Sequence, residues 1–239
     1  MNNIPCLWLP APQNLHLSSS DVHIWKINLK QSELQIQALK ETLSSDEIAR
    51  SERFYFPEHR QRFIVGRGSL RLILGGYLNV EPIEIEFDYH QRGKPFLAPK
   101  FLDSRLFFNI SHSQDLGLLG VSYQQLIGVD VEYMRPMSDL ENLAQRFFLA
   151  QEYEIIKSLN SVEKQQVFFR YWTCKEAYLK ATGDGLVKLE NIGIDLTPTQ
   201  PAQLLVVGNW QLQELIPADN FAAAVVVANN HNNFQFWQA

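Results

Sequence analysis

One feature of the sequence constrains its fold more than any other: the same order of segments occurs twice. An Arg-Phe-aromatic stretch followed by a long helical pattern that ends near glycine spans residues 52–78, and a similar order returns between residues 145 and 183. Strand patterns follow each copy. The repetition predicts an α+β protein with two similar halves that meet near residues 123–126. We place the first half at residues 1–124 and the second at residues 125–239.

The composition limits the class of protein. The chain has 239 residues, 46% of them hydrophobic and 20% charged, enough for one large domain or two small ones. A net charge of -5 disfavours nucleic acid as the main partner. The two cysteines have no metal or disulfide spacing, no signal peptide is recognisable, and the longest apolar run, residues 221–228, is too short to cross a membrane. We therefore expect a soluble, cytoplasmic monomer with no membrane partner.

Hydrophobic periodicity outlines the elements that carry the polar side chains. Alternating residues predict strands at 23–29, 82–87 and 126–133. Two further strands, at 105–110 and 116–123, are predicted to be joined by a turn formed by SHSQD. Helical spacing predicts helices at 32–43, 60–78, 138–148, 150–159 and 162–182, and strands return in the C-terminal part of the chain.

The helix predicted at 162–182 has an unusual charge pattern. Lys175 falls inside the apolar stripe that runs along this helix, and Glu176 and Lys180 lie one turn apart on its edge. One interpretation is a snorkelling lysine with a solvated ion pair. The other is a helix that lines a cleft and directs two cations and a carboxylate at a charged ligand.

The strand predicted at 126–133 places two carboxylates on one face. Gly128, Asp130 and Glu132 alternate with apolar residues, so the carboxylates stand about 7 Å apart. They indicate either a solvated face or a site for a divalent cation, which prefers carboxylate oxygens. In the second case Gly128 would leave room for a ligand.

Taken together, these stretches resemble the 4′-phosphopantetheinyl transferase family of the large, surfactin-synthetase-activator (Sfp) type. Five motifs carry the resemblance in the family's order: GKP at 93–95, NISHS at 109–113, GVDVE at 128–132, FFLAQEY at 147–153 and WTCKEAYLKATG at 172–183. The alanine after Lys175 and Glu176 matches the W/KEA branch. The resemblance implies two pseudo-symmetric α/β halves with the active site at their interface.

The resemblance also implies an activity and a set of site residues. The family transfers 4′-phosphopantetheine from coenzyme A to a serine of an apo acyl or peptidyl carrier protein and releases 3′,5′-ADP. By position, Asp130, Glu132 and Glu176 would hold Mg²⁺, with Mn²⁺ as a substitute, and Lys180 would contact the diphosphate. Glu152 would be the general base, with Lys175 either catalytic or structural. The nucleotide contacts would come from Ser111, His112, Lys94, Pro95, Arg62 and Arg50.

One position departs from the family pattern, and two other functions remain open. A family lysine three residues before Arg50 is Glu47 here, which leaves one expected 3′-phosphate contact without its cation. The carboxylates alone would also fit a Mg²⁺-dependent hydrolase of phosphate esters or diphosphates. A non-catalytic module that binds coenzyme A or a carrier protein is the third alternative.

Overall fold

The computed structural model describes residues 7–197, 200–229 and 232–239. No helix in these ranges is long and apolar enough to cross a membrane. The helices are α1 (Glu33–Lys40), α2 (Ser45–Glu52), α3 (Pro57–Leu78), α4 (Leu140–Phe147), α5 (Ala150–Ser158) and α6 (Ser161–Thr182). The strands are β1 (Leu9–Pro10), β2 (Asp21–Asn28), β3 (Phe87–Tyr89), β4 (Pro95–Leu97), β5 (Leu106–Ser113), β6 (Leu116–Tyr123), β7 (Ile127–Tyr133), β8 (Gly193–Asp195), β9 (Gln203–Leu205), β10 (Trp210–Leu215), β11 (Phe221–Ala228) and β12 (Asn233–Gln238).

Two main sheets organise the molecule. The first has five strands in the order β1-β12-β2-β6-β5, and the second has three strands in the order β10-β11-β7. Strands β3 and β4 form one small hairpin, and β8 pairs with β9. The edge strands β5 and β7 are joined by hydrogen bonds between Asn109 and Val129 and between Ser111 and Asp130, so the halves of the molecule meet along these two strands.

The core is built in layers. One apolar cluster lies between α3 and the first sheet and includes Trp25, Leu70 and Leu119. A second cluster lies around α6 and includes Phe168. A third cluster of aliphatic residues from β2, β6, β7 and β11 fills the space between the two sheets. The predicted α+β class with two halves is therefore confirmed: each half contributes a 22-residue helix, α3 or α6, that covers its own sheet.

The fold differs from the sequence prediction at residues 82–87 and at the C-terminal end of the chain. The prediction of a strand at 82–87 is wrong, because Pro82–Glu84 form a single 3-10 turn. Arg71 explains the turn: its guanidinium is buried and donates to the carbonyl oxygens of Pro82 at 2.9 Å and Ile85 at 2.8 Å. The C-terminal strand β12 was not predicted, and it pairs in parallel with β2. The division of the chain into halves between residues 124 and 125 stays a prediction. In the structure, the C-terminal end of the chain joins the first sheet through β12.

Candidate active site

Charged side chains of β7 and α6 form the centre of the candidate site. Asp130 and Glu132 lie two residues apart on β7 and point to the same face, while Glu176 and Lys180 lie one turn apart on α6. Lys180 Nζ is 2.6 Å from Asp130 Oδ1, and Asp130 is 3% exposed. The predicted acidic face of the strand and the predicted charged edge of the helix thus come together.

The three carboxylates of this acidic cluster, Asp130, Glu132 and Glu176, repel one another. Burial raises the pKa of Glu176 to about 7; the negative charges of Asp130 and Glu132 add to the rise, and Lys180 opposes it. Burial and the charge of Asp130 also raise the pKa of Glu132. Partly buried carboxylates in mutual repulsion favour the binding of a cation, because its charge offsets both effects.

One buried oxygen of the acidic cluster has no hydrogen-bond partner among the described residues. Asp130 Oδ2 is buried and unpaired, whereas Oδ1 accepts hydrogen bonds from Ser111 Oγ at 3.1 Å and from Lys180 Nζ. A buried, unpaired carboxylate oxygen is costly unless a ligand satisfies it. In the described ranges no three His, Cys, Asp or Glu side chains are already gathered as a metal site. The all-oxygen donor set has the chemistry that Mg²⁺ and Mn²⁺ prefer.

The loop that carries the GKP motif contacts the end of α6. The Lys94 ammonium donates to the main-chain oxygen of Lys180, and burial, followed by the positive charge of Lys180, lowers the pKa of Lys94 to about 8. Arg92 packs so closely on Gly185 that a Cβ atom there would lie 1.6 Å from Arg92 Nη1. The loop therefore links the first half to the charged end of α6, and Pro95 follows on β4. Adenine contacts by Lys94 and Pro95 stay a prediction.

The expectation that Gly128 leaves room for a ligand is wrong. A Cβ atom at this position would lie 2.0 Å from the carbonyl oxygen of Ala177 and 2.3 Å from the amide nitrogen of Ala181. Both atoms belong to the backbone of α6. Gly128 therefore lets α6 approach β7 closely enough for the charged groups on the two elements to meet.

The predicted base Glu152 lies in the protein interior. Its side chain is 1% exposed, and its carboxylate accepts from the Leu149 amide at 2.9 Å and the Ile194 amide at 2.9 Å. Lys175 Nζ lies 2.5 Å from the same carboxylate. With three donors around it and almost no exposed surface, Glu152 cannot accept a proton from an incoming serine in this conformation. These contacts support a structural role for Glu152, and its role as the general base stays a prediction.

Lys175 is the buried partner of Glu152. Its side chain is 0% exposed, and its ammonium also donates to the carbonyl oxygen of Ile192 at 2.6 Å and lies 4.9 Å from the centroid of the Phe148 ring. Burial lowers the pKa of Lys175, and the hydrogen bond to Glu152 opposes that change. Of the two roles left open for Lys175, the structural one is supported, because its contacts are with Phe148, with α5 and with the segment after α6.

The remaining predicted nucleotide residues lie along β5 and the helices near it. His112 is an exposed residue of β5, and partial burial of its ring, then the charges of Lys180 and Arg62, lower its pKa. Arg62 on α3 forms a 2.9 Å ion pair with Asp115 in the turn after β5. Arg50 on α2 is exposed and lies over the Phe63 ring, beside a surface cleft of about 560 Å³. These positions are compatible with the predicted phosphate contacts, which stay predictions.

The whole NISHS motif lies on strand β5, so its residues 111–113 are not part of the predicted SHSQD turn. Strand β5 continues to Ser113, and only Gln114 and Asp115 separate it from β6. Ser111 therefore points toward β7 and donates to Asp130, while Ser113 Oγ donates to Glu132 Oε2 at 3.0 Å. Asn109 and Ser113 were not among the predicted site residues. The polar residues at 109, 111 and 113 are the signal that could have found them, since a period of two is typical of one face of a strand.

Glu47, the departure from the family pattern, has a structural explanation. Its side chain is 2% exposed and pairs with Arg71 at 2.6 Å and Arg67 at 3.3 Å. The carboxylate also accepts from the Ser44 amide at the start of α2. A lysine here would leave two arginines without a counter-charge, so Glu47 fixes α2 on α3 and is not available to a ligand.

Comparisons with known proteins agree on one family. Two family models match the chain: the 4′-phosphopantetheinyl transferase superfamily over residues 126–226, and 4′-phosphopantetheinyl transferase, N-terminal, over residues 26–123. The 4′-phosphopantetheinyl transferase HetI of Nostoc sp. is 60% identical over 230 residues, which cover 96% of this chain and 97% of HetI.

More distant relatives carry the same description. The 4′-phosphopantetheinyl transferase psf-1 of Bacillus pumilus is 32% identical, over 69% of this chain and 68% of its own length. The 4′-phosphopantetheinyl transferase Sfp of Bacillus subtilis is 31% identical, over 60% of this chain and 62% of its own length.

Proposed function

The chain belongs to the 4′-phosphopantetheinyl transferase family, and from this premise we propose that it transfers 4′-phosphopantetheine from coenzyme A to a serine of an acyl or peptidyl carrier protein, releasing 3′,5′-ADP. The observation that carries the proposal is the acidic cluster next to Lys180 at the junction of the two halves. Such a cluster, with a cation beside it, is suited to a diphosphate and a metal ion. Phosphoryl transfer depends mostly on positioning and on the neutralisation of charge.

Asp130, Glu132 and Glu176 would hold Mg²⁺, and Mn²⁺ could replace it. The raised pKa of Glu176 and the unpaired Asp130 Oδ2 support this assignment, because a divalent cation would satisfy both. When bound, the metal would supply positive charge to the diphosphate of coenzyme A.

Cations of the chain would hold the phosphate groups. Lys180 is the candidate for the diphosphate, since its ammonium already lies at the acidic cluster and its main chain is fixed by Lys94. His112, Arg62 and Arg50 are the candidates for the nucleotide phosphate, because each is cationic or can donate and lies on the first half. Pro95 and Lys94 would border the base.

Glu152 and Lys175 would support the site without touching the substrate. Their buried pair connects α5 to α6, and α6 carries Glu176 and Lys180. We therefore assign these two residues to the stability of α6, and the serine proton would leave by a group or water other than Glu152.

Release of 3′,5′-ADP tests the proposal. The protein is incubated with coenzyme A and Mg²⁺, with and without an apo carrier protein, and 3′,5′-ADP is quantified by chromatography. We expect release only when both the carrier and the metal are present, in proportion to the carrier added. Release without a carrier would identify a hydrolase, and no release with any fatty-acid, polyketide or peptide-synthetase carrier would identify a binding module.

A further inference from the structure

Where the two halves meet, side chains of β5 make hydrogen bonds to β7 in place of hydrogen bonds between the two backbones. Asn109 Oδ1 accepts from the Val129 amide at 2.8 Å, and Ser113 Oγ accepts from the Tyr133 amide at 3.1 Å. Between them, Ser111 Oγ donates to Asp130 Oδ1. The residue numbers rise together on both strands, so β5 and β7 run in the same direction here. We call Asn109, Ser111 and Ser113 the polar ladder.

The polar ladder satisfies backbone groups that the edge of a sheet would leave unpaired. Strand β7 is an edge strand whose ladder partner is β11, and Val129 is 0% exposed. A buried amide without an acceptor is costly. Asn109, which is 4% exposed, supplies that acceptor from the first half.

The single hydroxyl group of Ser113 makes two hydrogen bonds. It accepts from the Tyr133 amide, and it donates to Glu132 Oε2 at 3.0 Å. A serine hydroxyl can donate and accept simultaneously, whereas a methyl group can do neither. Ser113 therefore ties the carboxylate of Glu132 to the backbone of the residue that follows it. Ser111 Oγ also donates to a carboxylate, that of Asp130, but accepts from Lys180 Nζ at 2.9 Å.

We propose that the polar ladder orients the acidic residues of β7 for metal binding, with Ser113 as the positioning residue of Glu132. The inference rests on the proposed function, because it assigns the carboxylates to a metal. It goes beyond that function by giving the NISHS strand a role toward the metal ligands in addition to the nucleotide. Groups that hydrogen-bond a metal ligand set its orientation, and their loss typically weakens metal affinity by about 10- to 100-fold.

Metal affinity can be measured without coenzyme A or a carrier. Free Mn²⁺ is followed by electron paramagnetic resonance during titration of the wild-type protein, Ser113→Ala and Ser113→Thr. We expect Mn²⁺ binding to weaken about 10-fold or more in Ser113→Ala and to recover in Ser113→Thr, which keeps the hydroxyl group. Should the alanine variant fail to fold, Ser113→Cys keeps a weak donor of similar size and should show a smaller loss.

Ser122→Ala is the matched control. Ser122 lies on β6, is 0% exposed and donates to the carbonyl oxygen of Gln125 at 2.7 Å, so its loss should lower stability toward urea without changing Mn²⁺ affinity. Wild-type Mn²⁺ affinity in Ser113→Ala would overturn the inference alone. If the wild-type protein bound no Mn²⁺ at all, the metal part of the proposed function would fall together with the inference.

Discussion

Replacement of Glu152 by glutamine distinguishes two roles of this residue, a structural partner of Lys175 and a general base. The substitution keeps the shape of the side chain and removes its charge. In the structure the carboxylate accepts from two backbone amides and from the Lys175 ammonium. The variant would therefore leave a buried ammonium whose remaining acceptors are the carbonyl oxygens of Ile192 and Leu189.

The expected cost follows from these contacts. Loss of one partner of a buried ion pair typically costs about 3–5 kcal/mol, because the other charge stays buried without compensation. Glutamine also has one carbonyl oxygen where glutamate has two acceptors, so one of the amides of Leu149 and Ile194 loses its partner. We expect Glu152→Gln to lower the free energy of unfolding by about 3–5 kcal/mol, a large fraction of the roughly 5–15 kcal/mol typical of a folded protein.

Urea unfolding followed by tryptophan fluorescence measures this loss, since the chain contains five tryptophans. Lys175→Met and the double variant complete a thermodynamic cycle. Each single variant leaves the other charged group buried without its partner. The loss in free energy of unfolding of the double variant should therefore be about 1–3 kcal/mol smaller than the sum of the two single losses. Where Glu152→Gln remains folded, its single-turnover transfer rate should stay within about tenfold of wild type, since removal of a true general base costs about 10²–10⁴.

The opposite result would refute the structural assignment. If Glu152→Gln unfolded at the wild-type urea concentration and bound coenzyme A normally, while transfer slowed by about 10²–10⁴, Glu152 would be the general base after all. The carboxylate would then have to leave its pair with Lys175 during the reaction.

Three further predictions concern other parts of the site. The folded pKa of Glu176 is about 7, against an ordinary value of 4.5. As pH rises from 4.5 to 7 in chelator, the free energy of unfolding of the wild type should therefore fall by about 1–3 kcal/mol relative to that of Glu176→Gln. A difference between the two proteins that stays constant across this pH range, measured by urea unfolding, would contradict the shift. His112→Ala should raise KM for coenzyme A about tenfold and leave KM for 3′-dephospho-coenzyme A nearly unchanged, and equal losses would remove its 3′-phosphate role. Gly128→Ala should destabilise the protein by about 2–3 kcal/mol, since its Cβ would meet the backbone of α6. The control Gly66→Ala, whose Cβ would lie 3.6 Å from the nearest side-chain atom, should be neutral or stabilising by up to about 1 kcal/mol. A neutral Gly128→Ala would contradict the close approach of α6 to β7.

Local periodicity was sufficient for the parts of the site that lie on one element. Alternation placed Asp130 and Glu132 on one face of β7, and helical spacing placed Glu176 and Lys180 on one edge of α6. Both were predicted, because a side chain's direction along a regular element depends only on the residue count.

Contacts between distant segments were not predictable in this way. The pairing of Glu152 with Lys175 requires the packing of α5 against α6. Helical spacing placed Lys175 in an apolar stripe without indicating its partner, and Glu152 alone looks like an exposed charge in the sequence. The return of β12 to the first sheet joins residues more than 200 positions apart. Residues 111–113 of the NISHS motif were assigned to a turn because serine and aspartate are common in turns. The period of two in the polar residues at 109, 111 and 113 instead indicates the strand that the structure contains.

The mass of an apo carrier protein after incubation tests the central claim most directly. The carrier is incubated with the protein, coenzyme A and Mg²⁺, and its intact mass is recorded beside a carrier whose acceptor serine is replaced by alanine. The account predicts that the serine carrier gains the mass of one phosphopantetheine group, that the alanine carrier gains nothing, and that Asp130→Asn enzyme transfers far less. An unchanged mass across carriers of every class, or undiminished transfer by Asp130→Asn, would contradict it.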